Sequence, residues 1–150
     1  MTSAVPVAPA PTPPLVARRL GFAGLVPFVA GALLVWLVRE EAHPYVTLAL
    51  ASYAAVVMSF LGGIHWGLAM KQSEPPALWF AWGVVPALVA WLAVMMPPSA
   101  GLVVDGVMLL ACYAVDRRLY PTQGAAHWLT LRFRLSTVAA LSCLLGAAGS

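Results

Sequence analysis

Past residue 19 the chain consists of five long apolar stretches joined by short charged connections, and its Lys and Arg residues fall almost wholly on alternate connections. A helix rises about 1.5 Å per residue, so it needs roughly 20 apolar residues to cross a hydrocarbon core of about 30 Å. The stretches that meet this run from Leu20 to Val38, Tyr45 to Met70, Ala77 to Met96, Ser99 to Val115 and Leu131 to Gly149. With 62% hydrophobic and 9% charged residues, a chain of 150 residues cannot cover the surface of a water-soluble domain. The expected fold is therefore all-α, a polytopic membrane bundle of five transmembrane helices. The second span is long enough to tilt and the fourth is short. The fifth crosses fully only if Arg132 and Arg134 snorkel toward the headgroups.

Orientation follows from the cations. Arg18, Arg19, Lys71, Arg117, Arg118, Arg132 and Arg134 lie on one side and Arg39 on the other, seven against one. This bias places the N-terminus in the cytoplasm and the C-terminus in the periplasm of a bacterial inner membrane. The net charge of +3 then reflects insertion and contact with anionic lipid. No nucleic-acid partner is expected, because no soluble basic groove with aromatic platforms exists. Residues 1–17, with Pro6, Pro9, Pro11, Pro13 and Pro14 among Ala, Val and Thr, read as a disordered Pro/Ala-rich tail ahead of a membrane domain at 18–150. The tail makes a poor signal peptide, since no basic residue precedes Arg18.

Within the second span, Ala51, Ala55, Ser59, Gly63 and Gly67 recur at every fourth position. Small residues at that spacing let neighbouring backbones approach, which places this helix at the centre of the bundle; intramolecular packing is favoured over homodimerisation. Gly24-Leu25-Val26-Pro27 and Gly83-Val84-Val85-Pro86 match between spans one and three, a weak hint of a helix-pair repeat. Each Pro frees a carbonyl, at Ala23 and Trp82.

Two ionisable side chains remain deep in the apolar stretches, His65 and Asp105, and such groups are functional candidates because burying them is unfavourable. They lie at different depths, so no direct ion pair between them is expected. At the depth of His65, the freed carbonyls, Tyr113, Ser136 and Thr137 form a candidate polar layer; the alternative is a neutral His held by a backbone carbonyl. Asp105 has Ser52 and Tyr53 at comparable depth, and a structural role is favoured. Haem lacks a second axial His near His65, and Cys112 and Cys143 stand singly without metal or redox spacing, so no cofactor and no metal site is expected. Trp36, Trp66, Trp79 and Trp128 fall near the interfaces as anchors.

The run Ser59-Phe60-Leu61-Gly62-Gly63-Ile64-His65-Trp66-Gly67, together with Asp116 and Trp128-Leu129-Thr130-Leu131-Arg132-Phe133-Arg134-Leu135-Ser136, resembles the transmembrane protein 69 family, whose shared region is catalogued as domain of unknown function 3429. The resemblance spans about residues 18 to 148 and implies a five-span bacterial inner-membrane protein with mitochondrial relatives. It brings no established activity. In that family's pattern the position of His65 is often Arg, and an aromatic often stands where this chain has Leu129.

Arg117, Arg118, Arg132 and Arg134, gathered at one face, suit contacts with anionic headgroups at the inner leaflet or with an acidic partner. The leading expectation is a non-enzymatic accessory or assembly factor that packs on another membrane protein through span two. The alternative is a small carrier, or a quinone- or lipid-binding protein, using the layer around His65. Intramembrane catalysis ranks behind both, since a lone His and a lone Asp at different depths do not make a nucleophile and base.

Overall fold

The computed structural model describes residues 12–150, and these form helices and turns without a strand. The helices are α1 (Leu15–Ala23), α2 (Val26–Leu37), α3 (His43–Ala69), α4 (Ala77–Val94), α5 (Pro98–Leu119) and α6 (Leu129–Ala148). α1 and α2 together make the first of five stretches long and apolar enough to cross a membrane; α3, α4 and α5 make the next three, and α6 with the turn before it makes the fifth. The start of α1, the loop after α3 and the α5–α6 connection lie together at the basic end of the bundle. At the opposite end the His43 Nε2–H donates to the Gly149 carbonyl at 2.8 Å, and the Trp36 indole N–H donates to Leu145 at 3.2 Å.

Helix begins earlier than the expected domain boundary at residue 18. Pro14 sits just before α1 in extended conformation, ψ 145°, and its carbonyl accepts the Arg18 N–H at 3.1 Å. A proline is tolerated there because the first N–H groups of a helix have no internal acceptor. Residues 1–11 of the expected tail lie outside the described residues.

The two matched prolines behave differently. Span one breaks at Gly24-Leu25, with Pro27 in the first turn of α2, and the Tyr53 hydroxyl donates to the Gly24 carbonyl at 2.9 Å. Pro86 instead lies inside a continuous α4. The fourth span is longer than its apolar window: Asp116, Arg117 and Arg118 end the hydrophobic run but not the helix, which reaches Leu119.

α3 touches α2, α4, α5 and α6 and is the centre of the bundle. α3, α5 and α6 pack together, α4 lies against α3 and α5, and α2 lies against α3 and α6. Met58, Leu102, Leu109, Cys112 and Cys143 fill the interior, while Phe60, Trp91 and Leu141 face outward. Lipid is as apolar as these side chains, so close packing rather than water exclusion holds the helices together. The tightest crossing joins Gly62 to Gly83: a Cβ on Gly62 would overlap the Gly83 carbonyl, and one on Gly83 would overlap the Trp66 indole. The Trp66 N–H donates to the Phe80 carbonyl at 2.9 Å beside it.

The expected small-residue stripe does not form one contact face. Ala51 and Ala55 are buried, but Ser59, Gly63 and Gly67 are exposed, and a Cβ on Gly63 or Gly67 would meet nothing within 4 Å. The reason is helical geometry. At 3.6 residues per turn, each four-residue step rotates about 40° past a full turn, so the row winds off the interface by about 160° over its length. The buried face continues instead through Met58, Leu61, Gly62, His65 and Ala69.

Candidate functional site

Three charged or polar side chains from three helices meet about one turn inside the basic end. His65 of α3 is 1% exposed, Asp116 of α5 is 1% exposed and Arg132 of α6 is 8% exposed. His65 Nε2 lies 3.0 Å from Asp116 Oδ1, and the Arg132 Nε–H donates to Asp116 Oδ2 at 2.8 Å. Arg132 Nη2 approaches the same Oδ2 at 2.6 Å as an ion-pair contact, without a well-aligned hydrogen bond. An ionised carboxylate only accepts, so His65 Nε2 carries the hydrogen and Nδ1 is left without a partner. The Asp116 carboxylate and the Arg132 guanidinium offset one another, which is how the two can share a dry interior.

The α5–α6 connection closes over this group. Tyr120, 3% exposed, holds its ring centroid 6.1 Å from the His65 ring, and its carbonyl accepts the Ala125 N–H at 2.8 Å. Gly124 makes that return possible with φ +69°, a left-handed conformation that side-chain-bearing residues rarely adopt. Burial, reinforced by the Asp116 charge, pushes the Tyr120 phenol up to about 12, against an opposing pull from Arg132.

Beside the charged group lies an elongated cavity of about 650 Å³. Leu20 and Gly24 of α1, Val57 and Ile64 of α3, and Leu135 and Ala139 of α6 line its apolar body. Arg132, Ser136, Tyr120 and Lys71 line its basic end. α1 packs on α6 and makes no comparable contact with α3, so the cavity flank between α1 and α3 borders exposed Leu20 and Phe60. Ser136 is 2% exposed, and its hydroxyl has no hydrogen-bond partner.

Residues 13–148 match the model of a family described as protein of unknown function, DUF3429. The chain belongs to the DUF3429 family. It is similar to transmembrane protein 69 of Xenopus tropicalis, 36% identical over 140 residues that cover 89% of this chain and 53% of that protein. Transmembrane protein 69 of Mus musculus is 25% identical over 130 residues, covering 85% of this chain and 53% of that protein. The chain thus spans about half the length of the curated relatives it matches. No solved structure matches it.

In this DUF3429 chain, the residues that carried the sequence resemblance converge on the site. Gly62 makes the crossing with α4, Trp66 caps the Phe80 carbonyl, and His65, Asp116 and Arg132 form the buried charged group. The polar layer expected from sequence assembles differently. His65 and Ser136 stay near the cavity end of the bundle, whereas Tyr113 packs against Phe133 with tilted rings, centroids 5.4 Å apart, on the outer side of α5 and α6, and Thr137 is only half-buried. Asp105 is fully buried about 16 Å further along α5, eleven residues from Asp116, and neither carboxylate oxygen has a partner. Of the four arginines assigned to the inner leaflet, Arg117, Arg118 and Arg134 are exposed. Arg132 does not snorkel; it turns inward, because Asp116 offers a carboxylate one helix away. Among the described residues no group of three His, Cys, Asp or Glu is placed to hold a metal ion.

Proposed function

We propose that this chain is a non-enzymatic protein of the bacterial inner membrane that holds one lipid-like amphiphile in the cavity between α1, α3 and α6, with the basic end in the cytoplasm. The observation that carries this reading is the cavity itself, whose volume of about 650 Å³ falls within the ordinary range for small-molecule sites. Its long apolar body suits a hydrocarbon chain, and its polar groups are confined to one end, as an amphiphile requires. A non-enzymatic role fits the geometry because His65, held by Asp116, is not among the cavity-lining residues. The cytoplasmic assignment rests on the seven-to-one cation bias. The test is native mass spectrometry of protein released from lipid nanodiscs. The wild type is expected to retain a lipid-mass adduct, and Leu68→Trp, at a cavity-lining residue of α3, to fill the cavity and lose the adduct while keeping the thermal midpoint. Equal adducts on both proteins would refute the reading.

A second reading is favoured by one observation, the bare surface over Gly63 and Gly67 next to exposed Ser59. An open surface of small residues lets a transmembrane helix of another membrane protein approach closely, so an accessory role alongside ligand binding is proposed. Gly63→Leu would then abolish co-purification of a stoichiometric partner from mild detergent. A chain that purifies alone in both forms would remove this reading.

A further inference from the structure

Resting on the cavity reading above, we infer that the ligand is an acyl chain ending in an oxyanion, a carboxylate or a phosphate monoester, and that Arg132, Ser136 and Lys71 read its headgroup. The inference starts from donors that the fold leaves unused. Ser136 Oγ is buried without a hydrogen-bond partner, Arg132 Nη2 makes an ion-pair contact to Asp116 Oδ2 at 2.6 Å without a well-aligned hydrogen bond, and both residues line the same cavity. They stand four residues apart on α6, so their Cβ atoms are neighbours on one face at about 5–6 Å. Buried donors without acceptors are unfavourable, and a guanidinium more so than a hydroxyl. A ligand that supplies two acceptor oxygens at this spot removes both penalties.

Charge decides which acceptor fits best. A neutral carbonyl would satisfy the donors but not the field. The basic end gathers Arg18, Arg19, Lys71, Arg117, Arg118, Arg132 and Arg134 against Glu74 and Asp116. Asp116 holds Nε and Nη2 of Arg132 from the protein side and is itself not among the cavity-lining residues, so the carboxylate does not occupy the headgroup position. Lys71 is exposed at the cavity rim, where a flexible ammonium can close on an anion from the aqueous side. A chain in the apolar body with its anion between Arg132 and Lys71 places every part of the ligand in matching surroundings.

The experiment measures equilibrium binding of palmitate, a monoacyl phosphatidic acid, hexadecanol and inorganic phosphate to the purified full chain in non-ionic detergent. Palmitate and the monoacyl phosphatidic acid are expected to bind at least tenfold more tightly than hexadecanol, and inorganic phosphate not to compete at millimolar concentration. Lys71→Gln and Ser136→Ala are each expected to weaken the two anions by about three- to tenfold and to leave hexadecanol unchanged. Lys71 is exposed, so its replacement reads the headgroup contact without disturbing the fold. If hexadecanol binds as tightly as palmitate, the headgroup inference fails while the cavity reading stands. If none of the three chains binds, both fail. Phosphate competing as strongly as the lipids would also overturn it, by showing a site for free anions.

Discussion

Replacing Asp116 with Asn should be the most damaging single substitution at the basic end. The carboxylate sits within 3.0 Å of both His65 Nε2 and the Arg132 guanidinium, with all three residues buried. At an effective dielectric of about 20, one charge pair at that separation interacts by roughly 6 kcal/mol before desolvation is counted. Removing one partner leaves the guanidinium dry and uncompensated, and buried pairs broken in this way typically lose about 3–5 kcal/mol. Asp116→Asn should therefore lower the unfolding free energy by about 3–5 kcal/mol in a reversible detergent-denaturation titration. Arg132→Gln should lose a similar amount, and the double variant should lose much less than the sum, because neither charge is then stranded. His65→Gln should lose about 1 kcal/mol, the scale of one interhelical hydrogen bond in a membrane protein. Arg134→Gln, on the exposed face, serves as the control and should be near neutral. Additive losses in the double variant, with each single loss no larger than that of the control, would refute the buried network and return Arg132 to the headgroups.

Gly62→Ala should destabilise the bundle by about 2 kcal/mol or more, since the Gly83 backbone blocks the new methyl group, whereas Gly63→Ala should be neutral or slightly stabilising; the same titration compares them. Raising the pH should probe Tyr120. Its phenol is raised to about 12 in the fold from about 10 when unfolded, so its contribution is complete below pH 10 and is lost as the pH climbs from about 10 to about 12. Tyr120→Phe should remove that part of the alkaline decline in thermal midpoint. Orientation is checked by fusion at Ser150: alkaline phosphatase there should be active and green fluorescent protein dark, and the reverse pattern would invert the assigned topology.

The crossings were legible in the sequence because lipid imposes a length and a composition that few other environments demand. The charged network was not, because in the sequence Asp116 and Arg132 look like ordinary span-edge charges. Each stands at the edge of an apolar run beside other charges, Arg117-Arg118 and Arg134, and charge at a span edge is normally solvated. The signal that separates them is phase rather than type. On α5 the buried positions run Leu102, Asp105, Leu109, Cys112, Asp116, and on α6 they run Arg132, Ser136, Ala139, Cys143. Both rows alternate steps of three and four, the spacing that keeps side chains on one face of a helix. His65 falls in the same kind of row after Met58, Leu61 and Gly62. Arg117, Arg118 and Arg134 are out of phase and exposed. A charged or polar group in phase with the core must find its partner inside the bundle, and three such groups at one depth, one per helix, leave few ways to pair. The same logic isolates Asp105. It is in phase and buried, but Ser142, the buried polar residue of α6 nearest its depth, donates its hydroxyl to the Val138 carbonyl, so Asp105 remains single where Asp116 is doubly held.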